Sequence, residues 1–107
     1  MTTTEATTQA TGLLAPVSPG ELLLEEFLKP LGISQYRLAR EIHVPESRIN
    51  AVVKGTRGIS ADTDLRLCRF FGLSTGYWLR AQAAHDLEVT QRQLDTELAL
   101  IQPFASR

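Results

Sequence analysis

Between Ser34 and Gly58 the chain carries five cations, Arg37, Arg40, Arg48, Lys54 and Arg57, against two acids, Glu41 and Glu46. That segment has three positive charges to spare, although the whole chain has a formal net charge of -1. The acids gather on either side of it, as Glu21, Glu25 and Glu26 before and Asp86, Glu88, Asp95 and Glu97 after. A local basic patch within a near-neutral chain is what phosphate binding requires. Other chemistry finds little support. His43 and His85 lack the cysteines and acids at ligand spacing that a metal site needs, so no metal is expected. No nucleophile, base and orienting group occur together, which argues against an enzyme, a catalytic residue or a cofactor. Gly55-Thr56-Arg57-Gly58 is too short for a phosphate-cradling loop, and no strand precedes it.

The elements that must carry this patch are helical. A chain of 107 residues, 43% hydrophobic, is long enough for one domain with a core. Its single cysteine, Cys68, excludes an internal disulfide and suits a reducing, cytoplasmic setting. No signal peptide or membrane span is expected, since Leu22-Leu23-Leu24 is cut by Glu25 and Glu26. Residues 1–17 are threonine-rich and read as a flexible arm, residues 18–84 as a folded unit, and residues 85–107 as a helical extension. Ser18, Pro19 and Glu21 spell a capped helix start, with Leu24, Phe27, Leu28 and Leu31 as its apolar face and Pro30 and Gly32 as its end. Ser34 caps a second helix, His43-Val44 turns, and Pro45 opens a third that stops at Gly55. Ser60 caps a fourth, with Leu65, Cys68 and Phe71 as one stripe and Gly72 as a left-handed stop. Ser74 is expected to cap a fifth, with Tyr77 and Trp78 packed in the core.

The second and third helices have the spacing of a helix-turn-helix. That motif needs a small residue where two short helices touch and apolar residues pinning both to the core. Gln35, Leu38, Ala39, Ile42, Val44, Ile49, Val52 and Gly55 supply it, with Ala39 at the close contact and Val44 in the turn. The third helix then exposes Glu46, Ser47, Arg48, Asn50 and Ala51, near the end that reaches base edges in a major groove.

Ser34 to Gly55 resembles the phage-repressor-like helix-turn-helix, or XRE, family. A wider likeness, from Ser18 to Leu87, runs through SPGELLLEEFLKPLGIS, RIN-VV-G-RGISADTDLRL, FGLSTGYWL and the QAAHDL stretch. It resembles the HigA-type antitoxins of HigBA toxin–antitoxin operons. Ser18 stands where that group usually has histidine, and Ala81 and His85 where it commonly has leucine and tyrosine. The resemblance implies an all-α, five-helix bundle with a C-terminal helical extension. It also implies phosphate contacts from Gln35, Arg37, Lys54, Thr56 and Arg57, and base reading by Glu46, Ser47, Arg48, Asn50 and Ala51. Arg48 would reach a guanine edge or a phosphate, and Ala51 a thymine methyl. Glu46 admits two readings: a partner for cytosine or Arg48, or an acid favoured by the helix dipole.

Leu87, Leu94, Leu98 and Ile101 recur on one helix face, which must pack on the bundle, a second copy or another protein. The function implied is a repressor that binds a palindromic operator as a homodimer and neutralises a HigB/RelE-like mRNA-cleaving toxin, located in the cytoplasm and at the nucleoid when DNA-bound. A stand-alone XRE-family repressor is the alternative, and a protein-interaction bundle without DNA binding a more distant one.

Overall fold

The structure, a computed structural model, describes residues 17–106, so the expected arm lies outside it apart from exposed Val17. Helix α1 consists of three consecutive stretches, Pro19–Leu22, Leu23–Leu28 and Lys29–Leu31; α2 spans Gln35–Ile42, α3 Glu46–Lys54, α4 Ala61–Phe71 and α5 Tyr77–Ala99, and a short 3-10 turn closes the chain at Phe104–Ser106. Among the described residues there is no strand. The all-α, five-helix architecture is the one expected.

Serines start three of the helices. Ser18, Ser34 and Ser60 accept the backbone N–H groups of Glu21, Arg37 and Thr63 at 3.2, 3.0 and 3.2 Å, satisfying donors that a helix start leaves free. Glu21 completes a capping box by accepting the Ser18 N–H at 3.1 Å. At the other ends, Gly32, Gly55 and Gly72 take left-handed φ values of 66, 84 and 70°. The end of α2 is different: His43 itself holds a left-handed φ of 63° there.

Three expectations about these helices are corrected. Pro30 does not end α1, which continues to Leu31. The stretch before it, Leu23–Leu28, is wound as a π-helix, with the Lys29 N–H reaching the Leu24 carbonyl. A wider turn relieves the clash that a proline ring makes with the carbonyl four residues back. It also rotates the apolar face, so Leu23 and Leu28, five apart, are fully buried and Leu31 is exposed. In α4 the buried line runs through Leu67 and Cys68, while Leu65 is exposed. Finally, Ser74 does not cap α5; the cap residue is Gly76, and the helix begins at Tyr77.

The core is one cluster. Leu23 and Leu28 of α1, Leu38, Ala39 and Ile42 of α2, Ile49 and Val52 of α3, Leu67 and Cys68 of α4, and Trp78 of α5 meet in it, with Ile59 from the preceding loop. Trp78 has no exposed surface. Its ring lies 5.0 Å from Phe27 and 5.1 Å from Tyr77, and Phe27 lies 4.9 Å from Phe71. Such pairs add about 0.5–1.5 kcal/mol each beyond the area they bury. Helix α5 runs unbroken through position 84, so the expected unit 18–84 and extension 85–107 share one helix; the α-helix ends at Ala99, before the short 3-10 turn. At 1.5 Å per residue α5 is about 34 Å long. Every residue from Thr90 to Ala105 is exposed, which draws the molecule out to 54 × 32 × 24 Å.

Candidate nucleic-acid interface

Helix α3 is pinned from behind and open in front. Ile49 and Val52 are buried, and the line i, i+4, i+7 on the opposite side is Ser47, Ala51 and Lys54. Ser47, Lys54 and Glu46 are exposed; Asn50 and Ala51 are half-buried. The far end of α3 is set by Gly20 of α1, whose backbone touches the last turn. A Cβ there would overlap the Val52 carbonyl oxygen and lie 2.8 Å from that of Val53. Only glycine lets α1 and α3 approach so closely.

The loop after α3 is tied from both sides. The Ala51 carbonyl accepts the N–H groups of Thr56 and Arg57 at 3.0 and 3.2 Å and the Thr56 hydroxyl at 3.3 Å. Further on, the Ile59 N–H donates to Gln82 Oε1 on α5 at 3.0 Å, and Gln82 Nε2 donates to Asp86 at 2.8 Å. Lys54 and Arg57 are held at the end of this loop, exposed and without an ion-pair partner among the described residues. At the start of α2, Gln35 is half-buried directly after the Ser34 cap. Arg37 is exposed and lies 3.6 Å from Glu41, and Arg40 sits over the Tyr36 ring at 5.8 Å. An exposed pair such as Arg37–Glu41 is weak and leaves the arginine free to exchange partners.

Arg48, expected among the base readers, is held in an ion pair with another helix. Its Nη1 donates to Asp62 Oδ1 of α4 at 2.5 Å, and its side chain keeps 21% of its surface. The same Asp62 oxygen accepts from Arg66 Nε at 2.7 Å. Arg66 Nη1 in turn donates to the Ile42 and His43 carbonyls at 2.7 and 3.3 Å, closing the C-terminal end of α2. The Arg48–Asp62–Arg66 chain thus links both helices of the motif to α4. The hydrogen bonds from Arg66 and then Arg48 hold the Asp62 carboxyl below its ordinary value of 3.8. Glu46 makes no pair with Arg48; it stands in the first turn of α3, where the helix dipole favours an acid.

Asp64 is the residue that sequence reasoning passes over. It is fully buried and does the work expected of Ser74. Its Oδ1 accepts the N–H groups of Trp78 and Leu79 at 2.8 and 3.1 Å, and its Oδ2 that of Gly76 at 2.8 Å. A carboxylate on the free donors of a helix start is stabilised by both the hydrogen bonds and the dipole. The available signal was its position: Asp64, Leu67, Cys68 and Phe71 share the i, i+3, i+4, i+7 stripe that α4 turns inward. A charged residue on such a stripe must be paired.

On α5, Trp78, Ala81, Gln82, His85 and Val89 are buried or half-buried, facing the bundle. Leu87, Leu94 and Leu98 lie on the opposite face and are exposed, at 70, 40 and 43%. Ile101 is exposed too, beyond the end of the helix. Among the described residues no helix is long and apolar enough to cross a membrane.

Two short helices in a fixed turn, with a polar exposed helix and exposed cations beside it, define a helix-turn-helix protein. The pattern of the family described as Helix-turn-helix matches residues 24–78. Virulence-associated protein I of Dichelobacter nodosus is 50% identical over 76 residues, 71% of this chain and 70% of that one. Antitoxin HigA-1 of Vibrio cholerae is 32% identical over 89 residues, 83% and 84% of the two chains. The solved structure of Pseudomonas aeruginosa antitoxin HigA with the higBA promoter superposes with a TM-score of 0.78 at 36% identity, covering 83% of this chain and 98% of that one. The chain belongs to the helix-turn-helix family of the XRE type, and within it to the HigA-type antitoxins.

Proposed function

We propose that the protein is a DNA-binding autorepressor and antitoxin, not an enzyme, which acts in the cytoplasm and at the nucleoid. The observation that carries this reading is the exposed face of α3 with exposed Lys54 and Arg57 at its end, in a chain whose fold matches an antitoxin solved with promoter DNA. Ser47, Asn50 and Ala51 read base edges, with Glu46 at the helix start. Gln35, Arg37, Lys54, Thr56 and Arg57 hold phosphates. One recognition helix spans too few base pairs for operator-grade affinity. A two-fold dimer on half-sites roughly 34–36 Å apart supplies the rest. The outward apolar face of Leu87, Leu94 and Leu98, with Ile101 beyond it, is a surface that a second copy or a toxin would cover. The acids Asp86, Glu88, Asp95 and Glu97 beside it complement a basic, HigB-like ribonuclease.

Gel-shift titration against the DNA upstream of its own gene tests the DNA reading. Replacing Gln35, Lys54 and Arg57 together by alanine abolishes the shift, and Arg57→Ala alone lowers the salt slope by about one. Retained binding by the triple variant overturns the assignment. Sedimentation tests the assembly: Leu94→Asp with Leu98→Asp converts a dimer to a monomer. Co-expression with the product of the neighbouring gene tests the antitoxin role. If that product stays toxic with this protein in excess, a stand-alone repressor is the better reading.

A further inference from the structure

Arg48 and Arg66 share one carboxylate oxygen but differ in what else holds them. Arg66 also bonds the Ile42 and His43 carbonyls, so it has partners without Asp62. For Arg48, Asp62 is the single side-chain partner among the described residues, and Arg48 Nε is buried with no hydrogen-bond partner among them. A guanidinium whose Nε is desolvated and unmet is held against its own hydration by one ion pair. It sits directly after Ser47, the first side chain of the exposed line of α3. Once released, its long side chain lies beside whatever that line touches.

We propose that Asp62 is a specificity-determining residue: it sequesters Arg48 from DNA, keeping a strong cation off the phosphates so that sequence-dependent contacts along α3 dominate binding. This rests on the reading that α3 is the DNA-contacting helix. A free arginine at that position adds an ion pair that every sequence offers equally. It therefore raises affinity for any duplex and narrows the margin between operator and other DNA. Asp62 works as an internal decoy for phosphate, its carboxylate meeting the guanidinium as a phosphate would.

A double-mutant cycle reads this out. Wild type, Asp62→Ala, Arg48→Ala and the double variant are titrated over a range of salt against two probes, the DNA upstream of the gene and a scrambled duplex of the same length. Asp62→Ala binds the scrambled duplex about tenfold more tightly, with a salt slope steeper by about one. Arg48→Ala changes either affinity by less than about threefold in the wild-type background but reverses the whole gain once Asp62 is absent. That non-additivity separates release of Arg48 from the general loss of a negative charge. Equal effects of Arg48→Ala in the two backgrounds overturn the proposal. So does a tenfold loss of operator affinity from Arg48→Ala alone, which would make Arg48 a direct reader. Asp62→Asn, which keeps the side-chain shape and removes the charge, replaces Asp62→Ala if circular dichroism shows the latter unfolded. Wild-type protein that binds neither probe contradicts the DNA reading itself, an outcome distinct from any pattern within the cycle.

Discussion

Asp62 and Asp64 lie two residues apart on α4 and serve opposite edges of it. Asp62 faces the α2–α3 motif from an exposed position and pairs with two arginine side chains. Asp64 faces α5 from a fully buried position and holds backbone N–H groups. The same side chain is adjustable at one edge and structural at the other. At the exposed edge the Asp62 carboxylate is open to water, and its ion pairs can be traded for another charge. At the buried edge the donors are fixed in a helix start, and among the described residues Asp64 is the acceptor that meets them. Helix α4 thus joins a partly exposed set of charges in front to a buried seam behind. The expected base-reading helix sits on the first, and the long α5 on the second.

The hardest way to break this contrast is at the seam. Asp64→Ala leaves the Gly76, Trp78 and Leu79 N–H groups without their acceptor. Each buried unmet donor costs roughly 1–3 kcal/mol and neighbours are not fully additive, so a loss of about 3–5 kcal/mol is expected in a urea titration. That is a large share of the roughly 5–15 kcal/mol that holds a small domain together. Asp64→Asn keeps one acceptor oxygen but presents an amide to donors, and it should fall between Asp64→Ala and wild type. A loss below about 1 kcal/mol for the alanine variant would show that water or the chain readily replaces the carboxylate.

At the exposed edge the expected effect is much smaller. Asp62→Ala should shift the urea midpoint less than Asp64→Asn does, because the Asp62 carboxylate is solvent-exposed and Arg66 keeps two carbonyl partners without it. An equal or larger shift would erase the distinction between the two edges.

The smallest effect sharpens the contrast through pH. The Asp62 carboxyl is held below its ordinary value of 3.8 in the folded chain, by the bond from Arg66 first and from Arg48 second. A depressed folded value means that the contribution is complete above the ordinary value and fades as pH falls through the folded one. Wild type and Asp62→Asn should therefore differ in stability at neutral pH and converge below pH 3.8. A difference that persists unchanged into that acid range would show that the charge of Asp62 is not what matters.

Much of this protein was determined by the sequence alone, because local chemistry decides local structure. Serine oxygens that meet free N–H groups and glycines that tolerate positive φ placed most helix ends without knowledge of the rest. The apolar spacing from Leu38 to Val52 placed the helix-turn-helix, since residues that must be buried on two short helices leave one arrangement open. The tertiary structure decided what depends on partners far along the chain. Arg48 looked like a free cation until Asp62, fourteen residues on, was brought to it. Ser74 had the right chemistry for a cap, but Asp64 from another helix reached the donors of α5 instead. The single face of Leu87, Leu94 and Leu98 was legible as apolar, yet only packing could show that α5 turns Trp78 and Val89 to the bundle and those leucines outward. Caps and periodicity are properties of neighbouring residues, whereas which charge meets which donor is settled only when the helices pack.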